Sequence, residues 1–217
     1  PGDSDGLAEA LREQFCPEVE IVASTGCLAA LAEARHGVGR DCRSTAMLHL
    51  DGWVGGFLVV DGRALAGASG RAGHLSPVRC AMDDHDVTFH DRLCPHNLID
   101  DPAAEQSEEA CWQAFRRLVA AAAANPERDE AGRLRRWTRD LGWTVAHLLR
   151  LFDPEALALN GRPFAYHAPL ADDVIDAARR IDGEAVDRCR RLGVAARPVD
   201  DRATLAAEMK GQHRVGG

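Results

Sequence analysis

A stripe of apolar side chains spaced three and four residues apart runs through residues 131–151. The stripe predicts the longest helix of the chain, with one face buried against the rest of the protein, and Asp153-Pro154 ends it. A short apolar run at 155–161, closed by Asn-Gly, is typical of a buried strand. The stripe consists of Leu134, Trp137, Leu141, Val145, Leu148 and Phe152.

Helical and strand patterns alternate along the rest of the chain. Helices are predicted at 5–15, 26–37, 107–123, 169–181 and 184–193, and strands at 17–25 and on both sides of Asp61-Gly62. Asp-Gly between two apolar runs is a strong hairpin signal. The histidine-rich stretch 78–101 is predicted to be irregular. This alternation without internal repeats indicates an α/β protein.

Composition restricts the kinds of partner. The formal net charge of −8 argues against direct binding of this chain to nucleic acid phosphates. The seven cysteines form no C-x-x-C pair and suit free thiols in a reducing cytoplasm. No apolar run approaches the roughly 20 residues that span a bilayer, and no signal peptide is recognisable. We therefore expect a cytoplasmic protein without membrane contact, and a chain that is part of a longer protein.

Three stretches in this order, 28–40, 55–75 and 139–161, resemble the ROK family of repressors, open reading frames and kinases. The resemblance extends from about residue 5 to residue 181. It implies the actin-like ATPase (ribonuclease H-like) fold, mostly its C-terminal lobe. Residues 1–40 would be the helix-strand-helix end of the N-terminal lobe, 41–210 the C-terminal lobe, and 211–217 a frayed tail.

The catalytic carboxylate implied by the resemblance is missing. In ROK kinases an Asp of an Asn-Asp pair opens a helix and acts as the base for phosphoryl transfer, and this pair falls on Ser24-Thr25. A threonine hydroxyl is not a base near neutral pH, and residues 22–27 contain no acid. We therefore expect no catalytic residue here, and Thr25 stands at the position of the family's Asp.

The phosphate turn of the family is also changed. ROK kinases resemble G-T-G-x-G-G-G where this chain has DGWVGGF. Gly55 and Gly56 remain, whereas Trp53 and Phe57 stand at glycine positions. A bulky side chain blocks the approach of backbone amides to phosphate, and Asp51 adds a negative charge. The resemblance therefore predicts a degenerate phosphate loop that no longer binds nucleotide.

The segment that binds sugar and zinc in the family is partly kept. GRAGH retains His74 but has Arg71 where the family has its sugar-binding Glu, and a guanidinium suits a carboxylate or phosphate on the ligand. The resemblance implies a ligand site at Ser24, Thr25, Arg71 and His74. His74 has either this role or a structural hydrogen bond. The family's tight cysteine cluster is absent; zinc at a rebuilt site of His74, Cys80 and Cys94 is the alternative to the favoured metal-free loop.

Three functions follow as hypotheses. The first is a sugar-sensing pseudokinase: the catalytically degenerate effector lobe of a ROK-type transcriptional regulator. It would form a homodimer, bind a small-molecule sugar or sugar derivative without a cofactor, and reach DNA through a domain outside this chain. The alternative is a fragment of an ATP-dependent sugar kinase, similar to a glucokinase or N-acetylhexosamine kinase. The third is a ligand-free dimerisation domain whose cleft is filled by Trp53 and Phe57.

Overall fold

The computed structural model describes residues 25–82, 85–101, 104 and 107–195. The predicted helix at 5–15, nearly all of the predicted strand at 17–25 and the predicted tail at 211–217 lie outside these residues. The lobe boundary at residue 40 stays a prediction.

Helices and strands are mixed along the described chain, but they do not alternate one by one as the sequence predicts: five strands follow the first helix, and three α-helices follow those strands. The helices are α1 (Thr25–His36), α2 (Phe89–Leu93), α3 (Glu108–Ala124), α4 (Asp129–Phe152), α5 (Arg162–Tyr166) and α6 (Pro169–Arg188). The strands are β1 (Ser44–Leu50), β2 (Val54–Val60), β3 (Arg63–Ala64), β4 (Arg79–Met82), β5 (His85–Thr88), β6 (Ala156–Asn160) and β7 (Arg191–Val194).

In the described part of the chain, five strands form one sheet in the order β3-β2-β1-β6-β7, and β4 pairs with β5 in a separate hairpin. β1 is antiparallel to β2 and parallel to β6, and β7 is parallel to β6. Asp61 and Gly62, with φ of 48° and 77°, form the two-residue turn between β2 and β3, which confirms the predicted hairpin. Because β1 and β6 are parallel, their carboxyl ends meet at the same edge.

The sheet separates two apolar clusters. On one face, Met47, Phe57 and Val59 pack with Cys27 and Ala30 of α1. The opposite face belongs to the larger cluster, which includes α3, α4 and α6. The predicted stripe of α4 is buried at Trp137, Leu141, Val145 and Leu148, whereas Leu134 is half-buried and Phe152, the last helical residue, is 39% exposed. No helix within the described ranges is long and apolar enough to cross a membrane.

The prediction of an irregular stretch at 78–101 is wrong. The chain there forms β4, β5, α2 and a short 3-10 helix at Pro95–Leu98. Thr88 and Asp91 form a capping box, in which each side chain accepts a hydrogen bond from the other residue's backbone N–H. This box is a recognisable T-x-x-D signal for a helix start.

The last two predicted helices are one element with a break. α6 continues to Arg188, and Asp182 leaves helical geometry inside it, with φ of −147° and ψ of 78°. The Asp182 carboxylate accepts the backbone N–H of Ala185, as an N-cap residue does, so the second part of α6 begins anew there. Residues Arg191–Val194 are not helical but form β7, because they pair with the buried strand β6.

Candidate ligand site at the carboxyl ends of two parallel strands

The carboxyl ends of β1 and β6 bring polar residues together. His49 and Asn160 are neighbours in the parallel register, and His49 Nδ1 lies 2.9 Å from Asn160 Oδ1 in a buried hydrogen bond. Asp51 follows β1, and Arg162 follows β6. Ligands of open α/β sheets bind outside the carboxyl ends of parallel strands. This edge is therefore the candidate site.

Two aromatic rings fill the space between β2 and the start of α1. Trp53 and Phe57 flank Gly55 on one side of the strand, with ring centroids 5.8 Å apart in an edge-to-face arrangement. A Cβ added at Gly26 or Gly55 would collide with these rings. Phe57 is buried and Trp53 is half-buried. Both rings therefore occupy the surface along which a glycine-rich turn would expose its backbone.

The start of α1 offers no carboxylate. Thr25 is the first helical residue, and the first turn of α1, whose backbone is fully described, contains no acidic residue. Ser24 and the side chain of Thr25 lie outside the described part, so their predicted contact with a ligand stays a prediction.

The turn after β3 carries Arg71 and His74. Gly73 has a φ of +84°, and a Cβ there would collide with the carbonyl of Gly56. The Gly56 N–H donates to the Gly73 carbonyl at 2.8 Å, which holds this turn against β2. Both the Arg71 and the His74 side chains are exposed, and the His74 ring stands edge-on to Trp53 at a centroid distance of 6.4 Å.

Sequence reasoning missed Arg162, which connects three elements at this edge. Its Nε donates to Asp51 at 2.8 Å, and its Nη2 pairs with Glu108 at the start of α3. The guanidinium lies over the Trp112 ring, 4.5 Å from the centroid. The negative charge that we expected at Asp51 is therefore paired with the positive charge of Arg162. The one feature of the sequence that could have indicated this role is the position of Arg162 directly after the Asn-Gly pair that ends the predicted strand.

The structure does not bring His74, Cys80 and Cys94 together as a metal site. Among the described residues, no group of three or more His, Cys, Asp or Glu side chains is arranged to hold a metal ion. Cys80 Sγ donates to the Val87 carbonyl, and Cys94 Sγ lies 3.3 Å from His90 Nδ1. Burial raises the pKa of the Cys94 thiol to about 12.

Comparison with family models gives no match, and comparison with curated proteins gives none either. Among solved structures, the ROK hexokinase from Thermus thermophilus is 21% identical, with a TM-score of 0.63 over 86% of this chain and 65% of that one. A ROK family glucokinase from Streptomyces griseus, in complex with glucose and AMPPNP, is 20% identical, with a TM-score of 0.60 over 79% and 61%. A ROK family transcriptional regulator, a homolog of the E. coli MLC protein, is 19% identical, with a TM-score of 0.59 over 77% and 46%.

These likenesses and the sheet order define an α/β protein with the actin-like ATPase fold. More particularly, the chain has the fold of the ROK proteins. It spans less than two thirds of the length of these three structures. The fold prediction is confirmed, and kinases and a regulator share it.

Proposed function

We propose that this chain is the sugar-sensing effector lobe of a ROK-type transcriptional regulator that has lost catalysis. It binds a sugar or sugar derivative and acts on DNA through a domain outside the chain. The observation that carries this proposal is the packing of Trp53 and Phe57 against Gly26 and Gly55. In the kinases that the sequence resembles, glycines keep this space open for phosphate, and bulky rings close it.

The chemistry of phosphoryl transfer also supports lost catalysis. A positioned general base contributes typically about 10²–10⁴-fold to a reaction rate, and the first turn of α1 has no acid to serve as one. Arg162, which could have contacted a phosphate from the end of β6, is already paired with Asp51 and Glu108. Without nucleotide or base, the remaining activity of the cleft is binding.

Arg71 and His74 are the described side chains that would contact the ligand. Both are exposed on a turn that two glycines shape, Gly70 with φ of +69° and Gly73 with φ of +84°. The Arg71 guanidinium favours a sugar with a carboxylate or phosphate group. Ligand binding changes DNA binding if two arrangements of a homodimer bind the sugar unequally.

The second candidate, an ATP-dependent sugar kinase, is favoured by the hexokinase and the glucokinase among the similar structures. It requires a carboxylate base and space for phosphate that another part of the protein would supply.

The test uses the full-length protein that contains this chain. We expect calorimetry to detect binding of a sugar from a panel of hexoses, amino sugars, glucuronate and glucose 6-phosphate, and no binding of ATP. Arg71→Ala should weaken that sugar about tenfold, because a charged hydrogen bond is lost. Arg63→Ala, an exposed arginine on β3, is the matched control and should leave affinity unchanged.

A coupled assay of ADP release with the same panel separates the hypotheses. Sugar-dependent ADP release would establish the kinase and overturn the proposal. Absence of binding to every sugar would favour the ligand-free dimerisation domain instead.

A further inference from the structure

The indole ring of Trp53 lies between two histidine rings at the candidate site. His49 of β1 is paired with Gly55 of β2, and Gly55 is bridged on its other side to His74. Because Gly55 has no side chain, the indole can cover it: a Cβ added at Gly55 would lie 2.3 Å from Cζ3 of Trp53. The centroid of the indole lies 4.5 Å from that of His49 and 6.4 Å from that of His74. These residues therefore form one continuous surface.

The neighbours of Trp53 hold its ring in one orientation. The ring meets Phe57 edge-to-face at an interplanar angle of 84° and is tilted by 41° against His49. His49 is itself buried and hydrogen-bonded to Asn160. A side chain that is already ordered loses little conformational entropy when a ligand binds. Trp53 is nevertheless only half-buried, so this fixed ring has surface that a ligand can contact.

The indole N–H of Trp53 is available as a hydrogen-bond donor. Among the described residues, none accepts a hydrogen bond from Trp53 Nε1. The fully buried side-chain atoms without a partner in the same part of the chain are Thr45 Oγ1, Trp112 Nε1 and Arg133 Nε. Trp53 Nε1 is not one of them, so its unpaired N–H can reach a ligand.

The chemistry of this surface fits a sugar ring better than a phosphate. The face of an indole is negative, so it attracts the polarised C–H groups of a pyranose and repels phosphate oxygens. The exposed His74 ring stands at 85° to the indole and would meet hydroxyl groups at the edge of a stacked sugar. Arg71 is the only Lys or Arg of the turn 67–77. One guanidinium balances a carboxylate, whereas a phosphate group carries about −1.5 to −2 charges.

We infer that Trp53 determines ligand specificity as a stacking platform for a hexuronate, a sugar that bears a carboxylate and is bound in its pyranose form. The C–H face of the pyranose stacks on the indole, and the carboxylate pairs with Arg71. The Trp53 N–H donates to an oxygen that projects beyond the indole edge. This inference rests on the proposed function, because it names the ligand class of the same site.

The probe pair is D-glucuronate and D-gluconate, which have equal carbon number and a carboxylate each but differ in the ring. We expect calorimetry on the full-length protein to show that glucuronate binds about tenfold tighter than gluconate, since the open chain has no face to stack. Glucose 6-phosphate should bind more weakly than glucuronate. This comparison needs no variant, so it tests the inference independently of how any variant folds.

Three variants locate the effect at the indole. Trp53→Leu removes the aromatic face, and it should weaken glucuronate about tenfold and abolish the preference over gluconate. Trp53→Phe keeps a flat ring and should retain most of the affinity. Trp143→Leu is the matched control and should leave affinity unchanged, because Trp143 is also half-buried but packs with the cluster on the opposite face of the sheet. Circular dichroism checks that each variant is folded.

The failure of the inference and the failure of the proposed function give different results. Equal affinity for glucuronate and gluconate would overturn the stacking role, and so would equal losses in Trp53→Leu and Trp143→Leu. Tighter binding of glucose 6-phosphate, or binding of another sugar of the panel without glucuronate, would overturn the hexuronate assignment. In all these cases the proposed function stands. If no sugar of the panel binds, both fail.

Discussion

Gly161 turns the chain sharply from the end of β6 toward Arg162. Its φ is +128°, a conformation that L side chains rarely adopt, and a Cβ there would collide with the carbonyl of Leu50. The close approach lets Arg162 reach back to Asp51, which follows Leu50. A single residue without a side chain thus sets the geometry of the ion pair at the candidate site.

Gly161→Ala should lower the free energy of unfolding by about 3 kcal/mol, because the energetic cost of the strained backbone adds to that of the steric clash. Gly62→Ala is the control and should cost about 1 kcal/mol. Gly62 also has positive φ, but a Cβ added there would meet no atom within 4 Å. Urea denaturation measures both. Equal losses in the two variants would contradict the role of the Leu50 carbonyl.

Residue identity made part of the site predictable. The resemblance predicts that Thr25 stands where the family has a carboxylate and that Trp53 and Phe57 stand where it has glycines, and each of these predictions depends only on the identity of one residue. The ion pair of Asp51 with Arg162 could not be predicted from the sequence. The two residues are 111 positions apart, and only the parallel pairing of β1 with β6 brings them together. A metal site at His74, Cys80 and Cys94 could not be judged from the sequence either, because similar residue types do not fix distances.

At the scale of elements, helices with long apolar stripes were predictable and short polar elements were not. α4 has a three- and four-residue repeat that any tertiary context preserves. The hairpin of β4 and β5 pairs Arg79 with Thr88, so its strands lack an alternating apolar pattern. β7 follows a helical pattern in the sequence, but pairing with β6 overrides local propensity.

The break in α6 provides an element-scale prediction. The Arg150 guanidinium makes two hydrogen bonds of 2.6 Å to the Asp182 carboxylate and connects α4 to the break. These bonds, and that from the Ala185 N–H, lower the pKa of Asp182 below its ordinary value of 3.8. A lowered carboxyl pKa contributes stability that is present above the unfolded-state value and lost as pH falls through the folded-state value.

Asp182→Asn should therefore destabilise the protein at pH 7, and the difference from the unmodified protein should shrink only below about pH 4. Urea denaturation across this pH range measures the difference. Asp176→Asn, which removes an exposed ion pair with Arg179 within α6, should have little effect at any pH. A difference for Asp182→Asn that stays constant down to strongly acidic pH would show that the carboxylate charge is unimportant.

At the scale of the whole molecule, the central strands are the most enclosed part. Every residue of β6 is buried, as are six of the seven residues of β1. The fold class was predictable because alternating strands and helices must form such a covered sheet. The strand order was not predictable, since the pairing of β1 with β6 joins residues far apart in the sequence.

Hydrogen exchange should reflect this enclosure. Backbone amides of β1 and β6 should exchange only through global unfolding, whereas those of the separate β4–β5 hairpin should exchange orders of magnitude faster through local opening. Exchange followed by mass spectrometry measures both regions in one experiment. Similar protection in the hairpin and the central strands would mean that the hairpin unfolds only with the core.

The turn that carries Arg71 and His74 also closes the outer edge of β2. β3 is only two residues long, and beyond it backbone groups of Leu58, Gly56 and Val54 bond to this turn instead of to another strand. An open strand edge is a template for aggregation. The exposed side chains of the turn, such as that of Arg71, can therefore be substituted without loss of these backbone hydrogen bonds, whereas deletion of a residue from the turn would expose the edge of β2 and promote aggregation.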